Sequence, residues 1–149
     1  MAKKFDRSTQ ELSQILGEAK KKEALDNYLK DLKEESDGLN LQNYLNEMMA
    51  KNERQLSDVA RDSGLSSNYL YNIVNGSRKN PSRMKIIGIC IACHMTLAQT
   101  QRALEIAGKG ILYPRDPADA IIIFNINAEN WSVTDINEQL YEHGCEIIQ

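Results

Sequence analysis

The sequence predicts an all-α fold, since apolar residues recur at helical spacing along most of its 149 residues and residues that cap helices precede several of these stripes. The sequence has one stretch rich in β-branched residues and no second stretch with which it could pair as a strand. The length suits one ordinary domain, or a compact core with helical extensions, and is too short for a large catalytic architecture. We therefore expect a small helical protein with an extension at each end.

Residues 1–38 are predicted to be an N-terminal helical extension. Ser8 and Glu11 have the spacing of a capping box, and apolar residues follow at helical spacing. A second apolar stripe runs over 25–32 and stops at the polar and glycine residues 36–38. That stop is the first predicted boundary.

Residues 39–110 are predicted to form a central domain of five helices. Each helix has an apolar side and a start or stop signal of its own. In chain order the signals are the apolar run 41–49, the run 56–60 before Gly64, the segment from Ser66 to Gly76, the segment from Ser82 through Cys93, and the Thr96 and Gln99 capping box with Gly108 at the end.

Residues 111–149 are predicted to form a C-terminal helical hairpin. The β-branched run 120–126 has the composition of a buried strand, but Asp116 and Pro117 are a favourable opening for a helix, and a lone strand would have no partner. Ser132 opens a second stripe, which Gly144 stops. We therefore expect two helices in the tail.

Charge is unevenly distributed along the chain. The formal net charge of −3 is made up of −1 over residues 1–40, +4 over 41–110 and −6 over 111–149. A basic centre with an acidic tail is typical of a protein that contacts phosphate with one face only. The charged first residues and the lack of a long apolar run predict a cytoplasmic protein without membrane contact.

Two cysteines and a histidine form one pattern that is also found at haem and zinc sites. Cys90, Cys93 and His94 match the C-x-x-C-H pattern of haem attachment, and they could also begin a zinc site. Their place in an apolar helix of the central domain favours inert core thiols, so we predict no metal and no cofactor. With two histidines and no glycine-rich phosphate loop, we also predict no enzymatic activity and no catalytic residue.

The stretch 56–82 contains a pattern of small, turn-forming and capping residues, namely Ala60, Gly64, Leu65, Ser66, Ile73, Gly76, Arg78, Pro81 and Ser82. With this pattern the stretch resembles the XRE-type helix-turn-helix family that includes lambda repressor and Cro, and the resemblance extends over 41–108. It implies a lambda-repressor-like DNA-binding domain whose recognition helix, about Ser66–Asn75, lies in the major groove.

The resemblance also implies which residues contact DNA. Exposed positions early in the recognition helix would face base edges, and positions at or after its end would contact phosphate. Leu56 stands where many relatives have a glutamine that braces the recognition helix against phosphate, so the resemblance does not carry over that phosphate contact. The recognition helix has no Arg or Lys for guanine, so we expect A/T-rich sites. The predicted base contacts are Ser67, Asn68, Tyr71 and Asn72, and the predicted phosphate contacts are Asn75, Arg78, Lys79 and Arg83.

The function predicted first is a transcriptional regulator that binds double-stranded DNA in a sequence-specific manner as a homodimer, because one short recognition helix contacts too few base pairs for useful specificity. The alternative is a helix-turn-helix adaptor or antirepressor without DNA binding. Its protein partner would contact Tyr71, the N-terminal helices or the acidic tail. We expect Tyr69 to be a core residue and Tyr71 to be partly exposed.

Overall fold

The computed structural model describes residues 8–18 and 21–149, without the side chains of residues 35–38. The described residues form helices and no strands, which confirms the all-α prediction. The chain divides between Asn40 and Leu41 into two compact units, and the predicted boundaries at residues 38 and 110 stay predictions. The helices are α1 (Thr9–Glu18), α2 (Lys22–Gly38), α3 (Leu41–Lys51), α4 (Leu56–Ser63), α5 (Ser67–Val74), α6 (Arg83–Ala92), α7 (Leu97–Ile106), α8 (Pro117–Asn127) and α9 (Val133–Glu142).

The N-terminal unit contains α1 and α2. The Glu11 backbone N–H donates to Ser8 Oγ at 3.1 Å, so Ser8 caps α1 as its spacing predicts. Three apolar side chains, Leu16, Leu25 and Leu29, are more than two-fifths exposed. Both helices are therefore amphipathic with apolar side chains open to solvent. Three consecutive lysines, residues 20–22, lie between the two helices and at the start of α2, and Lys20 is outside the described residues.

The unit of residues 41–149 is organised around α6. Residues 86–92 of this helix are all buried, because α4, α7 and α9 pack around it. Caps define the starts of α6 and of α7: Ser82 Oγ accepts from the Lys85 N–H at 3.3 Å, and Thr96 and Gln99 form the predicted capping box of α7. One apolar core consequently supports both the central helices and the tail.

The tail is the predicted helical hairpin. The β-branched run 120–126 is helical, and Asp116 caps α8 through the Asp119 N–H at 2.9 Å, with Pro117 in the first turn. The two helices are joined by the Asn125 side chain, which donates to Gln139 Oε1 at 2.9 Å. Since Asn125 is 2% exposed, this bond satisfies a polar group that would otherwise be costly to bury.

Candidate nucleic-acid interface

The turn between α4 and α5 has the geometry of a helix-turn-helix. Gly64 ends α4 with φ of 78°, a left-handed conformation that glycine adopts at little cost. Two residues later, Ser66 Oγ accepts from the Tyr69 N–H at 3.1 Å and caps α5. Gly76, with φ of 83°, follows the end of α5. These turns give α5 defined limits at both ends.

The inner face of α5 fixes the helix to the core. Leu70 and Ile73 are buried, and α5 packs on α3 and α4. At its C-terminal end, Asn46 of α3 donates from Nδ2 to the Val74 carbonyl at 2.8 Å. Because the helix is held along one side and at its end, its opposite face is presented on a rigid support.

The four residues predicted to contact bases occur at the N-terminal half and middle of α5. Ser67, Asn68 and Tyr71 are exposed, and Tyr71 has 54% of its surface accessible. Asn72 is partly buried, and its backbone carbonyl accepts from the Arg78 N–H at 2.8 Å. Within the described part of the chain, none of the four side chains has a hydrogen-bond partner. Their polar atoms are thus available to a ligand.

The loop after α5 contains three of the residues predicted to contact phosphate. Asn75 uses Oδ1 to accept from the Ser77 N–H at 2.8 Å, which stabilises the loop and leaves only the amide nitrogen for a ligand. The Arg78 guanidinium lies over the Tyr69 ring, with Cζ 4.8 Å from the ring centroid. Lys79 is exposed. The loop therefore adds cations next to the exposed face of α5.

Arg83, the fourth predicted phosphate contact, faces the tail. Its Nη1 and Nη2 donate to the two Asp119 carboxylate oxygens at 3.1 and 2.8 Å. Nε donates to the Gly110 carbonyl at 2.8 Å, and Nη2 also donates to the Ile111 carbonyl at 3.1 Å. All three guanidinium nitrogens are engaged, so this arginine joins the start of α6 to the segment that leads into α8.

Two further lysines lie next to the loop and were not among the predicted residues. Lys85 Nζ is 5.3 Å from the centroid of the Tyr69 ring, on the side chain that Arg78 also contacts. Lys109 Nζ donates to Asn80 Oδ1 at 2.8 Å. Lys85 could have been inferred from its place in the first turn of α6, but Lys109 is 29 residues from Asn80 and no local pattern indicates the contact.

The cations around the loop after α5 differ from the other arginines in whether they form ion pairs. Arg54, Arg61, Arg83 and Arg102 each pair with a carboxylate within the chain. The cations around the loop have no carboxylate partner among the residues that the structure describes. Positive charge is therefore left uncompensated next to the exposed face of α5, which favours an anionic partner there. These cations are Arg78, Lys79, Lys85 and Lys109.

Comparison with known protein families finds a match to the part of the chain that contains α4 and α5. Residues 44–99 match the family model of the Cro/C1-type HTH DNA-binding domain, from the first turn of α3 into the first turn of α7. This segment is similar to the Cro/C1-type helix-turn-helix domain. The match confirms the resemblance to the XRE-type family and the lambda-repressor-like fold. No curated protein and no solved structure matches the chain.

The two cysteines of the C-x-x-C-H pattern lie in the core, and its histidine is partly buried. Cys90 and Cys93 are buried, and burial raises the pKa of the Cys93 thiol to about 12. His94 stacks on Trp131 with ring centroids 5.4 Å apart, and desolvation lowers its pKa. Among the described residues no cluster of three or more potential metal ligands is present, and no helix is long and apolar enough to span a membrane.

The cap of the recognition helix in the Cro/C1-type domain gives a measurable prediction. Ser66→Ala removes the acceptor of the Tyr69 N–H, and we expect it to lower the free energy of unfolding by about 1 kcal/mol. Ser66→Asn, the control, keeps a side-chain acceptor at the cap and should stay within a few tenths of a kcal/mol of the wild type. Urea denaturation followed by circular dichroism measures both. Equal losses for the two variants would show that the cap bond does not stabilise the domain.

Proposed function

We propose that the protein is a cytoplasmic transcriptional regulator that binds double-stranded DNA in a sequence-specific manner as a homodimer. The observation that carries this proposal is the exposed face of α5, whose polar side chains lack partners, beside cations that lack carboxylates. The Cro/C1-type match to residues 44–99 supports DNA as the anion that this surface binds. In this proposal α5 lies in the major groove and the following loop lies along the phosphate backbone.

Asparagine side chains of α5 supply sequence discrimination in this proposal. Asn68 and Asn72 can each donate to and accept from an adenine edge, which favours A·T pairs. Ser67 and Tyr71 are next to them and contact neighbouring base edges or the thymine methyl group. Since α5 contains no Arg or Lys, the guanine contact that arginine makes with two hydrogen bonds is absent from it. We therefore expect A/T-rich sites.

Cations of the loop supply affinity. Arg78 and Lys79 are exposed there, and Lys109 donates to the neutral Asn80 side chain, which does not compensate a positive charge. Asn75 retains an amide N–H₂ group for phosphate. The phosphate contact of Arg83 stays a prediction. The bonds of Arg83 to Asp119 disfavour this contact, because a phosphate would have to replace them.

Salt dependence tests whether this surface binds DNA. With three cations from each protomer, a dimer makes six phosphate contacts, and affinity should fall by about 10³ between 50 and 200 mM salt. The probe is a mixed-sequence duplex of about 30 base pairs, which spans two half-sites one helical turn apart. The variant with Arg78, Lys79 and Lys109 changed to alanine should flatten this dependence, and Lys33→Ala on α2 is the control. An unchanged dependence in the triple variant contradicts the proposed surface.

The homodimer follows from the small site that one α5 can contact. Light scattering after size exclusion at micromolar concentration should give twice the chain mass of 16.9 kDa without the duplex, and the same protein mass with it once the mass of the duplex is subtracted. Apolar side chains open to solvent on α2 and on the tail, such as Leu29 and Phe124, are available for the interface. A mass of one chain in both conditions removes the dimer from the proposal.

The second candidate is a protein-binding adaptor or antirepressor. The exposed aromatic side chains of the acidic tail favour it, since Phe124 is 67% exposed and Tyr141 is 79% exposed. An adaptor of this kind would bind no duplex at 50 mM salt. The salt titration therefore separates the two candidates.

A further inference from the structure

Two cations share one aromatic ring at the start of the loop. The Arg78 guanidinium and the Lys85 ammonium lie 4.8 and 5.3 Å from the centroid of the Tyr69 ring. Both distances are within the range in which a cation is attracted to an aromatic face. The Tyr69 ring consequently brings together two charges that lie nine and sixteen positions after it in the sequence.

The Tyr69 ring is itself fixed. Its backbone N–H is bonded to the Ser66 cap, and its side chain is partly buried against the core. Lys85 is in the first turn of α6, and the backbone N–H of Lys85 donates to Ser82 Oγ. Tyr69 and Lys85 thus each lie in the capped first turn of a helix, and Arg78 contacts the Tyr69 ring from the loop between the two helices.

The two like charges repel each other, and an anion near them would compensate this repulsion. Neither cation has a carboxylate partner within the described residues. The attraction to the ring compensates part of this repulsion and lowers the conformational freedom of both long side chains. A phosphate that binds here would find its two cations already oriented.

We propose that Tyr69 is a positioning residue that holds Arg78 and Lys85 together as a cationic site for a phosphate of the DNA backbone. The inference rests on the proposed function and adds Lys85 to its phosphate contacts. Tyr69 does not contact DNA in this proposal, and its effect on affinity passes through the two cations.

The test is a double-mutant cycle on duplex affinity. Tyr69→Leu keeps an apolar side chain but removes the ring, and we expect about a tenfold loss of affinity for the mixed-sequence duplex at 100 mM salt. Tyr69→Phe keeps the ring and should bind within about twofold of the wild type. In a background with Arg78→Met and Lys85→Met, Tyr69→Leu should cause no further loss of affinity.

A structural role of Tyr69 predicts a different pattern. Loss of packing would lower affinity equally in both backgrounds, which would overturn the proposal. Circular dichroism melting of each variant separates folding from binding. Should Tyr69→Leu not fold, Lys85→Met still tests the site with the ring in place, because it should lower the salt slope by about 1 per protomer while Lys33→Met does not.

The outcomes also distinguish this inference from the proposed function. If the wild type binds the duplex with a steep salt dependence but neither Lys85→Met nor Tyr69→Leu changes it, the positioning role is wrong and the DNA-binding surface stands. If the wild type binds no duplex at 50 mM salt, both are wrong.

Discussion

Asn72→Ala is expected to weaken binding to the protein's preferred DNA site by about 1–3 kcal/mol while leaving affinity for a mixed-sequence duplex unchanged. The substitution removes the side-chain amide that would bond an adenine edge. It keeps the backbone carbonyl that accepts from the Arg78 N–H, so the loop after α5 should remain in place. Fluorescence anisotropy with the two duplexes measures the difference.

The control for this prediction is Asn127→Ala. Asn127 is an exposed asparagine in the last turn of α8, outside the Cro/C1-type domain. Its substitution should change neither affinity. Equal weakening of both duplexes by Asn72→Ala would mean that Asn72 acts on affinity and carries no sequence discrimination.

Asp119→Ala is expected to lower the free energy of unfolding by about 3 kcal/mol. Asp119 is 5% exposed and accepts from two Arg83 nitrogens and from the Tyr113 N–H at 2.9 Å. Its removal leaves these donors without their acceptor. The side chain of Arg83 is about a third exposed, so water recovers part of the loss and the value lies at the low end for a buried pair.

Urea denaturation measures this loss against two other variants. Glu138→Ala, on the exposed side of α9, should stay within about 0.5 kcal/mol of the wild type. The double change Arg83→Met and Asp119→Leu should recover much of the loss, because it removes both charges together. A loss below about 1 kcal/mol for Asp119→Ala would contradict a structural role for the pair.

Local signals were sufficient to predict the helices. A cap such as Ser66 or Asp116 acts within three residues, so the positions of Ser, Thr, Asp and Gly along the chain place several helix ends. Helix α4 is an exception, since its cap is Gln55. The run 120–126 has residues that favour a strand, yet it is helical. The Asp116 cap favours a helix here, and the described part of the chain contains no strand with which the run could pair.

The details of the site depend on contacts that are distant in sequence. Arg83 was predicted to contact phosphate because of its place after the recognition helix, but its bonding partners Gly110, Ile111 and Asp119 come 27 or more residues later. Lys109 is next to the loop for the same reason, since folding places the end of α7 near Asn80. Such tertiary contacts leave no periodicity or spacing in the sequence.

Selection of duplexes from a random DNA pool by the purified full chain tests the central claim most directly. The wild type should enrich one compact, A/T-rich, palindromic site, and a variant with Asn68, Asn72 and Arg78 changed to alanine should not enrich it. The spacing of the half-sites would then report the geometry of the dimer. A wild type that enriches no sequence at low salt would contradict sequence-specific binding and would direct attention to protein partners.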